Sequence, residues 1–293
     1  MNRKGSKKTA FIYLAPAMLV ILVFLYLPII LNFMNSLYKW GAISKEVSFV
    51  GFKYYKELAE DEVIRTALKN NVIFAITSVI CQIGVSLVIS AVLESRWLRR
   101  WQSVFRTIYF IPSLLMITVT GITFKMLYSP TLGLLNPILE KMGVDTSNIA
   151  ILADSKTAIW GVAAMSQWQF IGYTVVLFIV AMQNISDDIY EAAELDGASG
   201  IQRFFYITVP LMKNTIMINM IIVITGAFRV YDEVYVMTGG GPGTSTQTLA
   251  TYLYQIGFKN DQMGYASAIA FFVFIITFIL GLFQMKGYDI GDE

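Results

Sequence analysis

Histidine is missing from this sequence, and cysteine occurs once, at Cys81. Without an imidazole, Ser-His and Cys-His hydrolase mechanisms are excluded, and so is most zinc catalysis. A single thiol allows neither an intrachain disulfide nor a Cys-rich metal site. No G-x-x-x-x-G-K-[ST] phosphate loop is present, so any nucleotide must be bound by another chain. Charge is scarce too: 14% of residues are Asp, Glu, Lys or Arg, where soluble domains have about a quarter. The net charge is +2 and no dense Lys/Arg stripe with interleaved aromatics occurs, so no nucleic-acid partner is expected.

Apolar residues fill the space that charge leaves, making up 56% of the 293 positions. Runs of about 20 residues, enough to cross a hydrocarbon core, fall at Ala10 to Leu31, Asn71 to Leu93, Thr107 to Tyr128, Thr157 to Met182, Ile216 to Met237 and Tyr265 to Gln284. They predict an all-α membrane protein of six transmembrane helices with both ends on one side of the bilayer. Arg3, Lys4, Lys7 and Lys8 precede the first run, and no small-residue cleavage site follows it. It reads as a retained span behind a tail rather than a signal peptide. The positive-inside rule assigns that tail to the cytoplasm, together with the connection carrying Arg96, Arg99, Arg100 and Arg106. The expected layout is a cytoplasmic tail over 1–9, a transmembrane domain over 10–285 and a second cytoplasmic tail over 286–293.

Three connections then lie outside. The one from Leu31 to Asn71 mixes Lys39, Lys45, Lys53, Lys56, Arg65 and Lys69 with five acidic residues, and predicts an amphipathic helix around Phe52 to Leu68. Residues 133–143 contain Asn136-Pro137 and predict a short helix. Gly239-Gly240-Gly241-Pro242-Gly243 must be an irregular loop, because consecutive glycines carry too much backbone entropy to extend a helix. No internal repeat and no soluble domain is evident.

The polar passage between the fourth and fifth runs, about 183–213, is the most specific feature. Ser186 can cap a helix whose first turn holds Asp187 and Asp188, favoured by the helix dipole. Gly197 or Gly200 can end it, and Pro210 lies before the fifth span. Asp187, Glu191 and Glu194 share one helix face, while Ile189, Ala192 and Ala193 form a small apolar ridge on another. Read as Glu191-Ala192-Ala193, three residues, Gly197, nine residues, Ile207-x-x-Pro210, the passage resembles the cytoplasmic coupling loop of the permease subunits of binding-protein-dependent ABC importers. Phe49 to Tyr55, Asn70-Asn71, Pro112, Trp168 with Gly172, and Met237 to Pro242 resemble positions typical of the carbohydrate-uptake branch, the maltose, glycerol-phosphate and oligosaccharide type. Val209 departs from the leucine usual before the proline, a swap of one branched apolar side chain for another.

The resemblance implies a type I importer permease fold in a bacterial cytoplasmic membrane. It implies Glu191, Ala192, Ala193, Gly197, Ile207 and Pro210 as the residues that couple to an ATPase. The implied partners are ATPase subunits, a second homologous permease, an extracytoplasmic solute-binding protein, a sugar substrate and the lipid bilayer. No cofactor would belong to this chain, since ATP and Mg would be bound by the ATPase. Gly197-Ala198-Ser199-Gly200 also resembles the serine motif of rhomboid proteases, whose chemistry needs the histidine that is absent here.

Polar residues within apolar runs are costly, which makes each a functional candidate. Arg229 lies ~20 Å along the fifth run, counted from Ile216 at 1.5 Å per residue, with Asp232 and Glu233 at i+3 and i+4, where either can pair with it. Gln167, Trp168 and Gln169 sit mid-way along the fourth run with Tyr173 a turn further, and Asn219 and Thr225 lie in the fifth. Amides beside aromatic rings suit sugars, which offer hydroxyl edges and apolar C–H faces. The competing reading of these amides is interhelical packing. Lys125 reads as a snorkelling side chain, and Gly264, Ala266 and Ala270 as a close-packing face. The rival function is a self-contained ion-coupled carrier using Arg229, Asp232 and Glu233 as a relay.

Overall fold

The computed structural model describes residues 3–44, 46–95, 97–98, 100–146 and 149–289. Lys45, Arg96, Arg99 and the tail from 290, all invoked above, lie outside the described residues, as do the side chains of Arg3, Lys4, Lys7 and Lys8. The chain forms two compact units, one of residues 1–61 with 253–275 and one of 62–252 with 276–293. Among the described residues, four helices are long and apolar enough to cross a membrane, and two bent pairs raise the number to six if each pair counts as one span.

In the first unit, helix α1 (3–35) includes the apolar stretch Phe11–Asn35 and buries none of its residues from Leu22 to Asn35. A minimal hairpin follows, β1 (Tyr38–Lys39) paired antiparallel with β2 (Ser48–Phe49) in the register Tyr38↔Phe49. The amphipathic helix expected over Phe52 to Leu68 is two helices, α2 (Lys53–Glu60) and α3 (Glu62–Glu94). Asp61 separates them in an extended conformation, and its carboxylate accepts the Tyr265 hydroxyl at 2.8 Å. The hairpin is built against the start of the last helix, α13 (Met263–Asp289). A Cβ on Gly264 would lie 2.1 Å from the Tyr38 carbonyl oxygen, so the close-packing role expected of that glycine holds. Asp261, at φ +55°, accepts N–H groups from Ala42, Ile43 and Ser44 at 2.6, 3.0 and 2.9 Å.

In the second unit, α3 is 33 residues long, ~50 Å at 1.5 Å per residue, and begins well before the expected Asn71. The expected third span is α4 (Gln102–Leu114) and α5 (Ile117–Leu127), bent by 95°. Pro112 removes an N–H inside α4, and Leu115 and Met116 adopt extended ψ angles of 144° and 134°. Residues 133–143 contain the short helix α6 (Leu135–Lys141), as expected. Helix α7 (Ala158–Gln183) is apolar around its circumference and buries residues on all sides, the pattern of a central helix. Gly172 admits the α4 backbone: a Cβ there would sit 1.7 Å from the Tyr109 carbonyl oxygen. Serines join α3 to α7, with the Ser86 and Ser90 hydroxyls donating to the Ile171 and Val175 carbonyls at 3.1 and 3.0 Å.

After α8 (Asp187–Leu195) and α9 (Gly200–Leu211), the chain turns by 71° into α10 (Lys213–Ala227). The fifth span therefore ends at Ala227 rather than Met237. Residues 228–231 are not helical, and the short α11 (Asp232–Met237) follows them. A loop leads to α12 (249–259) and then α13. One buried cluster joins Phe74 on α3 with Ile159, Val162 and Met165 on α7 and with Val230, Val234 and Met237.

Candidate functional site

The polar connection 184–212 is organised almost entirely by short-range bonds. The Ser186 hydroxyl accepts the Asp188 N–H at 3.3 Å and starts α8 with two acidic residues in its first turn. At the other end the Gly197 N–H donates to the Glu194 carbonyl at 3.1 Å and the Ala198 N–H to the Ala193 carbonyl at 2.9 Å. That bond pair is a Schellman cap, and it requires the φ of +79° that Gly197 adopts. Of the two glycines expected to end the helix, Gly197 does so, while Gly200 begins α9.

Ser199 and Gln202 form a capping box at that next start, at 3.3 and 2.8 Å. The serine of the protease-like motif is thus capping hardware. Arg203 pairs with Glu194 at 3.2 Å, and the Tyr190 hydroxyl meets that of Thr208 at 2.9 Å, so α8 and α9 are braced against each other. Glu191, Ala192 and Pro210 are exposed, and Ala193 and Ile207 are half-buried. Leu195, Ile201, Phe205 and Tyr206 stand 90, 74, 61 and 79% exposed on the same connection. Residue-by-residue reading passed over these four, although large apolar residues in a polar loop were the available signal. A cavity of about 640 Å³ opens at the elbow between α7, α8 and α10, lined by Asn184, Ser186, Ile189, Met212 and Thr215 among others.

The candidates inside the membrane divide into two groups. Gln167 is buried, donating to the Ser78 hydroxyl at 3.1 Å and accepting from Gln82 at 2.9 Å. Gln169, 2% exposed, donates to the Leu115 carbonyl at 2.9 Å, an acceptor without a helical partner because α4 ends there. Asn219 is buried and bonds back to Thr215 in its own helix at 2.8 Å, and Thr225 bonds back to Ile221 at 2.6 Å. Gln167 and Gln169 thus tie α7 to neighbouring elements, while Asn219 and Thr225 are satisfied within their own helix. Trp168 and Tyr173 are about half exposed. Five residues apart, they point ~140° from each other on a helix of 3.6 residues per turn, so they do not form one platform. Trp168 instead packs against Phe124 at 5.2 Å.

The expected ion cluster does not form. Because α10 stops at Ala227, Arg229, Asp232 and Glu233 do not share a helix face. Among the described residues no ion pair links them; Arg229 and Asp232 are exposed, whereas Glu233 is buried and accepts the Ser166 hydroxyl at 3.3 Å. A charged relay for an ion-coupled carrier is therefore not assembled. Lys125 is exposed in the last turn of α5, on the rim of a mostly apolar cavity of about 590 Å³ walled by Met126, Leu152, Met237 and Pro242 among others.

Comparison with known proteins agrees with this architecture. Residues 82–285 match the family described as "Binding-protein-dependent transport system inner membrane component". The chain is 46% identical over 288 residues to the probable ABC transporter permease protein YurN of Bacillus subtilis (strain 168), covering 98% of each. It is 33% identical over 284 residues to the arabinooligosaccharides transport system permease protein AraP of the same organism, covering 96% of this chain and 89% of that one. A chain in the crystal structure of a bacterial ABC transporter that imports the acidic polysaccharide alginate superposes with a TM-score of 0.81 at 21% identity, over 97% of this chain and 96% of that one, a likeness in fold. The protein belongs to the family of inner membrane permeases of binding-protein-dependent ABC transport systems.

Proposed function

We propose that this permease moves a sugar or oligosaccharide inward through the membrane in an ATP-driven importer, receiving it from an extracytoplasmic solute-binding protein. The observation that carries the reading is helix α8, capped at both ends, braced through Arg203, and flanked by the exposed side chains Leu195, Ile201, Phe205 and Tyr206. A rigid exposed helix with an apolar flank is suited to seat in a groove on another protein. Glu191, Ala192, Ala193, Gly197, Ile207 and Pro210 then form the connection to a separate ATPase that binds ATP and Mg. Both termini are cytoplasmic in this reading, and a second homologous permease completes the membrane pore. The sugar class is supported by relatives named for arabinooligosaccharides, lactose and trehalose/maltose.

The cycle follows from differential binding. ATP-bound ATPases hold the two coupling helices in one arrangement and empty ATPases in another, and the spans follow whichever state binds more tightly. Trp168, Tyr173, Arg229 and Asp232, the exposed members of the candidate set, are the residues assigned to the substrate path. Gln167, Gln169 and Asn219 join it if the amide bonds open during the cycle. The test is purification from the native membrane followed by uptake in liposomes. The chain should bring down an ATPase and a second permease, and uptake should require ATP and the binding protein. Glu191→Lys should retain membrane insertion and lose uptake. Uptake by the isolated chain, driven by an ion gradient, would refute the proposal.

A further inference from the structure

The outer connection 228–248 is fastened by polar side chains that lie far from it in sequence. Asn70 and Asn71, adjacent on α3, are 3 and 0% exposed. The Asn71 amide donates to the Ala227 carbonyl at 2.7 Å, and its oxygen accepts the Leu249 N–H at 3.0 Å. One side chain therefore satisfies the last residue of α10 and the first of α12, the two ends of the intervening segment. Asn70 donates to the carbonyls of Ser245 and Gln247, both at 2.8 Å. Within the segment, the Thr248 hydroxyl donates to the Val230 carbonyl at 2.7 Å, and the Thr238 and Thr246 hydroxyls meet at 2.8 Å. The segment is closed upon itself and fastened to α3 at both ends.

We infer that Asn71 is a positioning residue for transport: it makes the outer segment 228–248 travel with the second span as one body, so that the outer end of the fifth span cannot open independently. A neutral amide suits the position because one group must donate and the adjacent one must accept. Leucine offers neither, and an ionised aspartate can only accept. A protonated aspartic acid offers both. The inference rests on the transport reading above.

The experiment uses the complete importer in liposomes, with Cys81→Ser as background and spin labels at Lys69 and Thr244, both exposed. The label distance should be one narrow distribution, the same without nucleotide and with trapped ATP, in complexes that show uptake. Asn71→Leu should broaden it and lower uptake per assembled complex by about tenfold, since buried groups lose their partners. Asn71→Asp should work at acidic pH and fail as pH rises, while the wild type lacks that dependence. A wild-type distance that differs between the two states would overturn the inference, as would full uptake by Asn71→Leu or a pH-independent Asn71→Asp. If Asn71→Leu does not assemble, the wild-type distances and the Asn71→Asp profile decide. Absence of uptake in the wild-type complex would instead refute the transport reading.

Discussion

The two irregular connections flanking α10 are built on opposite plans. In the connection 184–212 the bonds that shape the backbone join residues two to five apart, and Leu195, Ile201, Phe205 and Tyr206 face outward. In 228–248 the fastening bonds to α3 join residues 156 to 178 apart, and Glu233, Thr246, Gln247 and Thr248 are buried. Local bonds let a segment keep its shape while presenting a face to another protein. Remote bonds bind a segment to one position on its own chain. The first plan suits a docking element, and the second suits a part that moves with its support.

Glycine substitutions provide the sharpest attempt to break the contrast. Gly240 has φ +95°, and a Cβ there would lie 2.4 Å from the buried Gln247 amide. Gly240→Ala should cost ~3 kcal/mol, the left-handed strain plus displacement of Gln247, read as a lower yield of intact detergent-solubilised complex. Gly197 has φ +79° but nothing within 4 Å of a Cβ. Gly197→Ala should cost only the backbone strain, ~1 kcal/mol, and asparagine less. The assay is uptake per complex against yield, with Gly197→Ala lowering the former more. Equal losses of yield at the two glycines would erase the distinction.

Side-chain caps sharpen it further. Thr248→Val removes the bond to the buried Val230 carbonyl and should cost about 1–3 kcal/mol, while Ser199→Ala, losing a solvent-exposed cap, should cost ~1 kcal/mol. Hydrogen exchange would separate them: protection should fall across 228–249 in the first and only over the first turn of α9 in the second. Arg203→Gln should change stability least, below about 1 kcal/mol, because the Glu194 pair is exposed to water.

The loop after β1 combines features of both plans and gives a pH test. Asp261 is half-buried, and the N–H groups of Ile43, Ser44 and Ala42 hold its pKa below the usual carboxylate value. A depressed pKa contributes stability that is fully present above the unfolded value, near 3.9, and is lost as pH falls through the lower folded one. Exchange protection at Ala42 to Ser44 should therefore be flat through neutral pH and vanish in strong acid. Asp261→Asn should lower it at neutral pH and abolish its loss in acid.

Legibility in the sequence followed the range of the bonds. Ser186, Gly197 and the alternating acidic and apolar faces of α8 were readable because each acts on neighbours within one or two turns. Long apolar runs marked α1, α3, α7 and α13, for which hydropathy alone suffices. The break after Leu114 was missed despite Pro112, because a run stays apolar whether or not its helix is continuous. What makes the break tolerable is Gln169, which satisfies the Leu115 carbonyl from 54 residues away. The same blindness placed Arg229, Asp232 and Glu233 on one helix face. Asn70-Asn71 was visible only as part of a family resemblance, since nothing nearby indicates that its partners are Ala227, Ser245, Gln247 and Leu249.

The outward-facing Leu195, Ile201, Phe205 and Tyr206 bear on supply as well as coupling. In the proposed coupling reading, a copy made in excess of its partners would display a sticky patch to the cytosol, the kind of surface that promotes aggregation and engages quality control. Matched synthesis of the subunits then becomes a requirement for the permease itself. Its cellular half-life should fall when its partners are depleted.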